Sequence, residues 1–115
     1  DPRDVVCSYI KQRWMPSDLL QAAMISRDLY AQIKVNVDSK PGDVIEVALE
    51  DLVHNSDKVI SDISSFVGLN TQPSMLEFPL SASSLGRWRK DLDSGQLKKL
   101  EPVLRSTTES LGYEW

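Results

Sequence analysis

Apolar residues recur at helical spacing through most of the chain. Val6, Ile10 and Trp14 stand four apart and predict one face of a helix from Pro2 to Trp14. The "MPSD" stretch ends it. Ser17 or Asp18 then restarts a second helix through about Lys34, with Leu19, Ala22, Ala23, Tyr30 and Ile33 along its apolar stripe. "DSKPGD" reads as a turn. Beyond it the period changes: "VIEVAL" sets β-branched residues around Glu46 in an apolar–polar–apolar order, which predicts a short strand from Val44 to Leu49. Ser56 caps a further helix from Asp57 to about Val67, lined by Val59, Ile60, Ile63, Phe66 and Val67, and Gly68 suits the left-handed position after its end. From Leu69 to Arg89 the pattern dissolves among Pro73, Pro79, several serines and Gly86. Stretches this long without regular structure are usually functional or mobile. The last helix starts near Asp93, where Asp93 and Gln96 have capping-box spacing, and Leu97, Leu100, Leu104 and Leu111 mark its apolar face. Pro102 is expected to kink or split it.

One strand cannot make a sheet. Placed between two long helices, it predicts part of a parallel β–α–β layer whose other strands come from elsewhere. The expected class is therefore α/β, mostly helical here, with residues 1–115 forming a single partial domain. The opening "DPRD" points the same way. Asp1 can cap free N–H groups, Pro2 suits the first helical position, and Asp4 is placed where negative charge favours the helix dipole. A helix start with nothing ahead of it is expected to follow sequence that has been cut away.

A net charge of −4 argues against a general nucleic-acid binder, although Arg87, Arg89 and Lys90 form a local basic exception. The single cysteine, Cys7, and single histidine, His54, exclude a disulfide framework, a cysteine-rich zinc site and a multi-histidine metal centre. No EF-hand spacing is present, and no apolar run approaches the roughly 20 residues that span a bilayer.

Two stretches carry candidate chemistry. In "DPRDVVCS" a helix amino terminus offers N–H groups and a positive dipole end to a phosphate or sulfate, with Arg3 and the Ser8 hydroxyl as further donors. The plainer alternative is a capped structural helix with a solvated Arg3. In "SASSLGRWRKDL", Gly86 permits close backbone approach, Arg87, Arg89 and Lys90 can clamp an anion, and Trp88 can stack on a base. Its plainer alternative is a solvated basic turn with Trp88 plugging the core. His54 is expected to be an exposed loop residue, Glu50 and Asp51 to cap a turn, and Cys7 to be buried and inert. By motif alone there is no catalytic residue.

Taken in order, "DPRDVVCSY", "VIEVALEDLVHNSDKVISDISSFVGL" and "SSLGRWRKDLDSGQLKKLEPVLRSTTESLGY" resemble the carboxy-terminal half of a PAPS-dependent sulfotransferase, closer to the bacterial and protein-tyrosine types than to the cytosolic ones. The resemblance implies a P-loop-like parallel-sheet fold and PAPS (3′-phosphoadenosine 5′-phosphosulfate) as co-substrate, with no metal. It also implies transfer of a sulfuryl group to a hydroxyl or amine acceptor. It matches Ser8 to the serine of the 3′-phosphate motif, whose arginine would stand immediately before Asp1. Gly86, Arg87 and Trp88 match the loop that closes over the nucleotide, with Arg89 and Lys90 as nearby charge. The 5′-phosphosulfate loop and the catalytic base belong to the family's amino-terminal half, so this segment would supply nucleotide binding and acceptor-site walls. The departures are Leu49 where many members have tyrosine, "SAS" where the cytosolic enzymes have Arg-Lys-Gly, and Ser94 and Gly95 where their dimer motif wants Thr-Val. The compartment implied is the cytoplasm, or the Golgi lumen for a protein-sulfating type. Two alternatives stand beside this one: a non-catalytic helical interaction module, and another P-loop-like nucleotide-dependent transferase.

Overall fold

The computed structural model describes residues 1–115. Its elements are helices α1 (Pro2–Tyr9), α2 (Leu19–Ser39), α3 (Leu49–His54), α4 (Ser56–Phe66) and α5 (Pro73–Leu76), a 3₁₀ turn at Ala82–Ser84, α6 (Trp88–Asp91) and α7 (Ser94–Ser110). There is no strand, which corrects the expected α/β parallel-sheet class: the chain is all-helical. The segment expected as a strand, Val44–Leu49, carries the right side chains but has no neighbour to pair with: Val44–Ala48 is irregular and Leu49 opens α3. A ladder takes two strands, and β-propensity expresses packing against neighbours more than a backbone preference.

The chain forms two compact units. The first comprises Asp1–Ser39 and Gly86–Trp115 and the second Lys40–Leu85. The first unit holds the core: Val6 and Cys7 of α1, Ala22 and Ala23 of α2, Leu92, and Leu100 and Leu104 of α7 are all buried. Small residues at Ala22, Ala23 and Ser26 let α2 lie close against α7. The predicted capping box forms, with the Asp93 carboxylate accepting the Gln96 N–H at 2.8 Å and the Gln96 side chain accepting the Asp93 N–H at 2.9 Å.

Two expectations in this unit change. Helix α7 continues through Pro102, which lies on an exposed side of it, so the proline does not split the helix. Helix α1 stops at Tyr9 rather than Trp14. Trp14 therefore leaves the apolar face, is 74% exposed and lies against Tyr9 with ring centroids 6.5 Å apart.

In the second unit α4 packs against α3 and α5, and Gly68 takes the left-handed conformation (φ +72°) that ends α4. Ser64 is its one buried residue, and no apolar side chain of the unit is buried. The stretch expected to be irregular, Leu69–Arg89, contains α5, the 3₁₀ turn and the start of α6.

Candidate functional site

The stretch "DPRDVVCS" and the Gly86–Leu92 part of "SASSLGRWRKDL" fall in the first unit, and one carboxylate joins them. Asp4 Oδ2 accepts the Gly86 N–H at 2.7 Å, and Asp4 Oδ1 accepts the Trp88 N–H at 2.9 Å. A side chain expected to favour the α1 dipole instead caps a turn 82 residues further along. Gly86 is needed there, since its backbone is left-handed (φ +64°) and an added Cβ would come within 2.9 Å of Arg89 Nη1. The backbone of Gly86, expected to approach a ligand, already gives its N–H to Asp4.

Arg3 is not solvated but 2% exposed. It donates from Nε (3.0 Å) and Nη2 (2.6 Å) to the Asp1 carboxylate, and from Nη2 to the Glu114 carbonyl at 2.7 Å. Its guanidinium carbon lies 3.9 Å from the Trp88 ring centroid and 5.3 Å from that of Trp115. Burial pulls its pKa down and the charge of Asp4 works against that. A buried guanidinium needs its charge paired and its donors filled, and Asp1 and Glu114 do this. The first turn of α1 is likewise filled from within. Asp1 Oδ1 accepts the Arg3 N–H at 2.9 Å, and the Asp1 carbonyl accepts those of Asp4 and Val5. An anion at this helix start would have to displace Asp1.

Donors remain on the other side of the joint. Arg87 is committed: its Nε reaches Asp91 Oδ2 at 3.0 Å, and Lys11 Nζ reaches the same oxygen at 2.8 Å. Hydrogen bonds from Lys11 first and Arg87 second hold the Asp91 carboxyl below its usual range. Arg89 and Lys90 are exposed and form no ion pair, Arg89 lying over the Trp88 ring at 4.4 Å. Ser8 stands one helical turn after Asp4 on α1, since positions four apart share a helix face, and Lys11 follows in the turn beyond Tyr9. The structure thus brings Gly86, Arg87, Trp88 and Arg89 up to the helix that bears Ser8.

Trp88 is poorly placed for stacking on a base. Two guanidinium groups already lie over its ring, and its Nε1 is buried with no hydrogen-bond partner. It acts as a core plug against Val6 and its neighbours. Cys7 is fully buried, and burial, with the charges of Asp91 and Asp4, pushes its thiol up to about 11. His54 is exposed at the end of α3. No three His, Cys, Asp or Glu side chains converge on a point where a metal ion could be held. No helix is long and apolar enough to cross a membrane.

Sequence reasoning missed Asp4 as a joint and Arg3 as a buried hub. A faint signal was present: an aspartate and an arginine open one helix in a chain that holds "GRW" and ends on a tryptophan, three partners suited to one ion-paired cluster. No protein-family model matches the chain, and neither a curated protein nor a solved structure matches it significantly.

Proposed function

We propose that the first unit is the nucleotide-holding part of a PAPS-dependent sulfotransferase. In this reading Ser8 and the unpaired cations Arg89 and Lys90 take the 3′-phosphate of the nucleotide. Arg87, fixed by Asp91, sets the electrostatic floor beside them. Gly86 and Trp88 shape the turn. The observation that carries the reading is the Asp4 carboxylate, which holds the Gly-Arg-Trp turn against the same helix that bears Ser8. A neutral hydroxyl and two exposed cations together suit a phosphate dianion, which gains charge-assisted bonds and keeps its remaining oxygens solvated. When PAPS is bound it supplies the activated sulfuryl group: the bond from sulfur to the leaving phosphate breaks as the bond to the acceptor oxygen or nitrogen forms. These residues bind and orient, and none of them takes the acceptor's proton.

Calorimetric titration of the full reading frame tests this. We expect 3′,5′-ADP to bind at least about tenfold more tightly than 5′-AMP, the worth of one charge-assisted contact. Ser8→Ala and Arg89→Ala should each weaken 3′,5′-ADP more than 5′-AMP. Equal losses would remove these residues from the 3′-phosphate, and no binding of either nucleotide would sink the reading.

A second reading, a helical interaction module without chemistry, is favoured by one observation: the second unit leaves Val47, Leu49, Phe66, Leu69 and Phe78 exposed.

A further inference from the structure

The segment Val44–Ala48 enters the second unit with its backbone open. Apart from the Ala48 carbonyl, which accepts the Leu52 N–H at 3.1 Å, none of its backbone groups has a hydrogen-bond partner in the chain. Its β-branched side chains are exposed as well, Val44 by 40%, Ile45 by 36% and Val47 by 39%. Beside it lies a groove of about 330 Å³, lined by Ile45, Glu46 and Val47 and, from α3 and α4, by Asp51, Val59 and Asp62. The groove is acidic. Lys58 on its wall is taken by Asp62 at 2.6 Å, which leaves Glu46 and Asp51 without an ion-pair partner.

We propose that this groove docks an extended, basic peptide segment, which adds as a strand along Val44–Ala48. An unpaired row of N–H and C=O groups is satisfied by another strand laid beside it, whose side chains on one face then meet Ile45 and Val47 and on the other Val44 and Glu46. Glu46 and Asp51 select lysine or arginine on the incoming chain, because opposite charges across a strand pair attract and like charges repel. The same charge disfavours the other occupants. A second copy of this segment, paired antiparallel about its centre, sets Glu46 against Glu46. Anionic lipid and nucleic acid meet two uncompensated carboxylates. The proposal rests on the second unit alone and is independent of the nucleotide reading.

The test is an NMR titration of the full chain with a short, end-blocked synthetic peptide of alternating valine and lysine. Saturable shifts confined to residues 44–62 are expected, lost when glutamate replaces the peptide's lysines and lost when its backbone amides are methylated. The double variant Glu46→Lys with Asp51→Lys, checked for helical content by circular dichroism, should weaken binding by about tenfold or more. Four results would each overturn the proposal: no saturable shift, equal binding of the glutamate peptide, indifference to amide methylation, or self-association of the chain through Val44–Ala48 without peptide.

Discussion

The two units of this protein carry similar proportions of apolar residues but treat them differently. In the first, the apolar stripes of α1, α2 and α7 converge, and all seven buried hydrophobic residues of the chain are there. In the second, Val59, Ile60 and Ile63 stay half-exposed on α4, and Val44, Ile45, Val47, Leu69 and Phe78 are exposed. Periodicity says which side chains share a face, whereas burial requires a second face to meet them. The first unit supplies that face from segments far apart in sequence, held at their ends by Asp4 and Arg3. The second has only its neighbours along the chain.

The contrast can be broken most sharply by truncating a side chain in each unit. Leu104→Ala removes a fully buried side chain from the first core and should cost about 2–5 kcal/mol in denaturant unfolding. Val47→Ala in the second unit should stay within about 0.5 kcal/mol, because its side chain is already in water. Comparable losses at the two positions would show that the second unit has a core of its own.

Asp4→Ala should be the next largest effect. It leaves the half-buried Gly86 and Trp88 N–H groups without their acceptor, at a cost of about 2 kcal/mol. Asp4→Asn, which keeps one acceptor oxygen, should lose less. If the two variants unfold alike at the wild-type midpoint, the carboxylate is not the joint.

How much of this was legible in the sequence depended on the range of the interaction. Local features were readable: Asp1 as a cap, the Asp93–Gln96 box and Gly68 after α4 are settled within a few residues of chain. The strand at Val44–Leu49 was not, because alternation can specify one strand but cannot supply its partner. Trp14 keeps the spacing of Val6 and Ile10 without sharing their helix, and nothing in "SYIKQRW" marks the end of α1 at Tyr9. The candidate site was legible as a set of residues but not as a geometry. The link from Asp4 to Gly86 spans most of the chain, and an aspartate in a first helical turn already has a sufficient local explanation. The same holds for Arg3, whose burial depends on Trp88 and on the carboxy-terminal Glu114 and Trp115.

The smallest expected effect is at Asp91. Its folded-state pKa is held below the ordinary carboxylate value, so its bridge to Lys11 and Arg87 stabilises the fold above that ordinary value. That stabilisation is lost as pH falls through the lower folded one. Asp91→Asn should lower the melting temperature slightly at neutral pH, and the deficit should begin to shrink as pH falls below about 4 and vanish below the lower folded value. It should also shrink in high salt, as an exposed bridge is screened. A deficit that persists unchanged in acid would assign the effect to packing rather than charge.

The most direct measurement is amide hydrogen exchange at the joint between "DPRD" and "GRW". In the wild-type protein the Gly86 and Trp88 amides should be protected well above those of Val44–Val47. In Asp4→Ala that protection should fall towards the level of the open segment, while the amides in the middle of α7 remain protected. Gly86 and Trp88 amides that exchange as freely as Val44–Val47 in the wild type, or that keep their protection without the Asp4 carboxylate, would contradict the role given to Asp4.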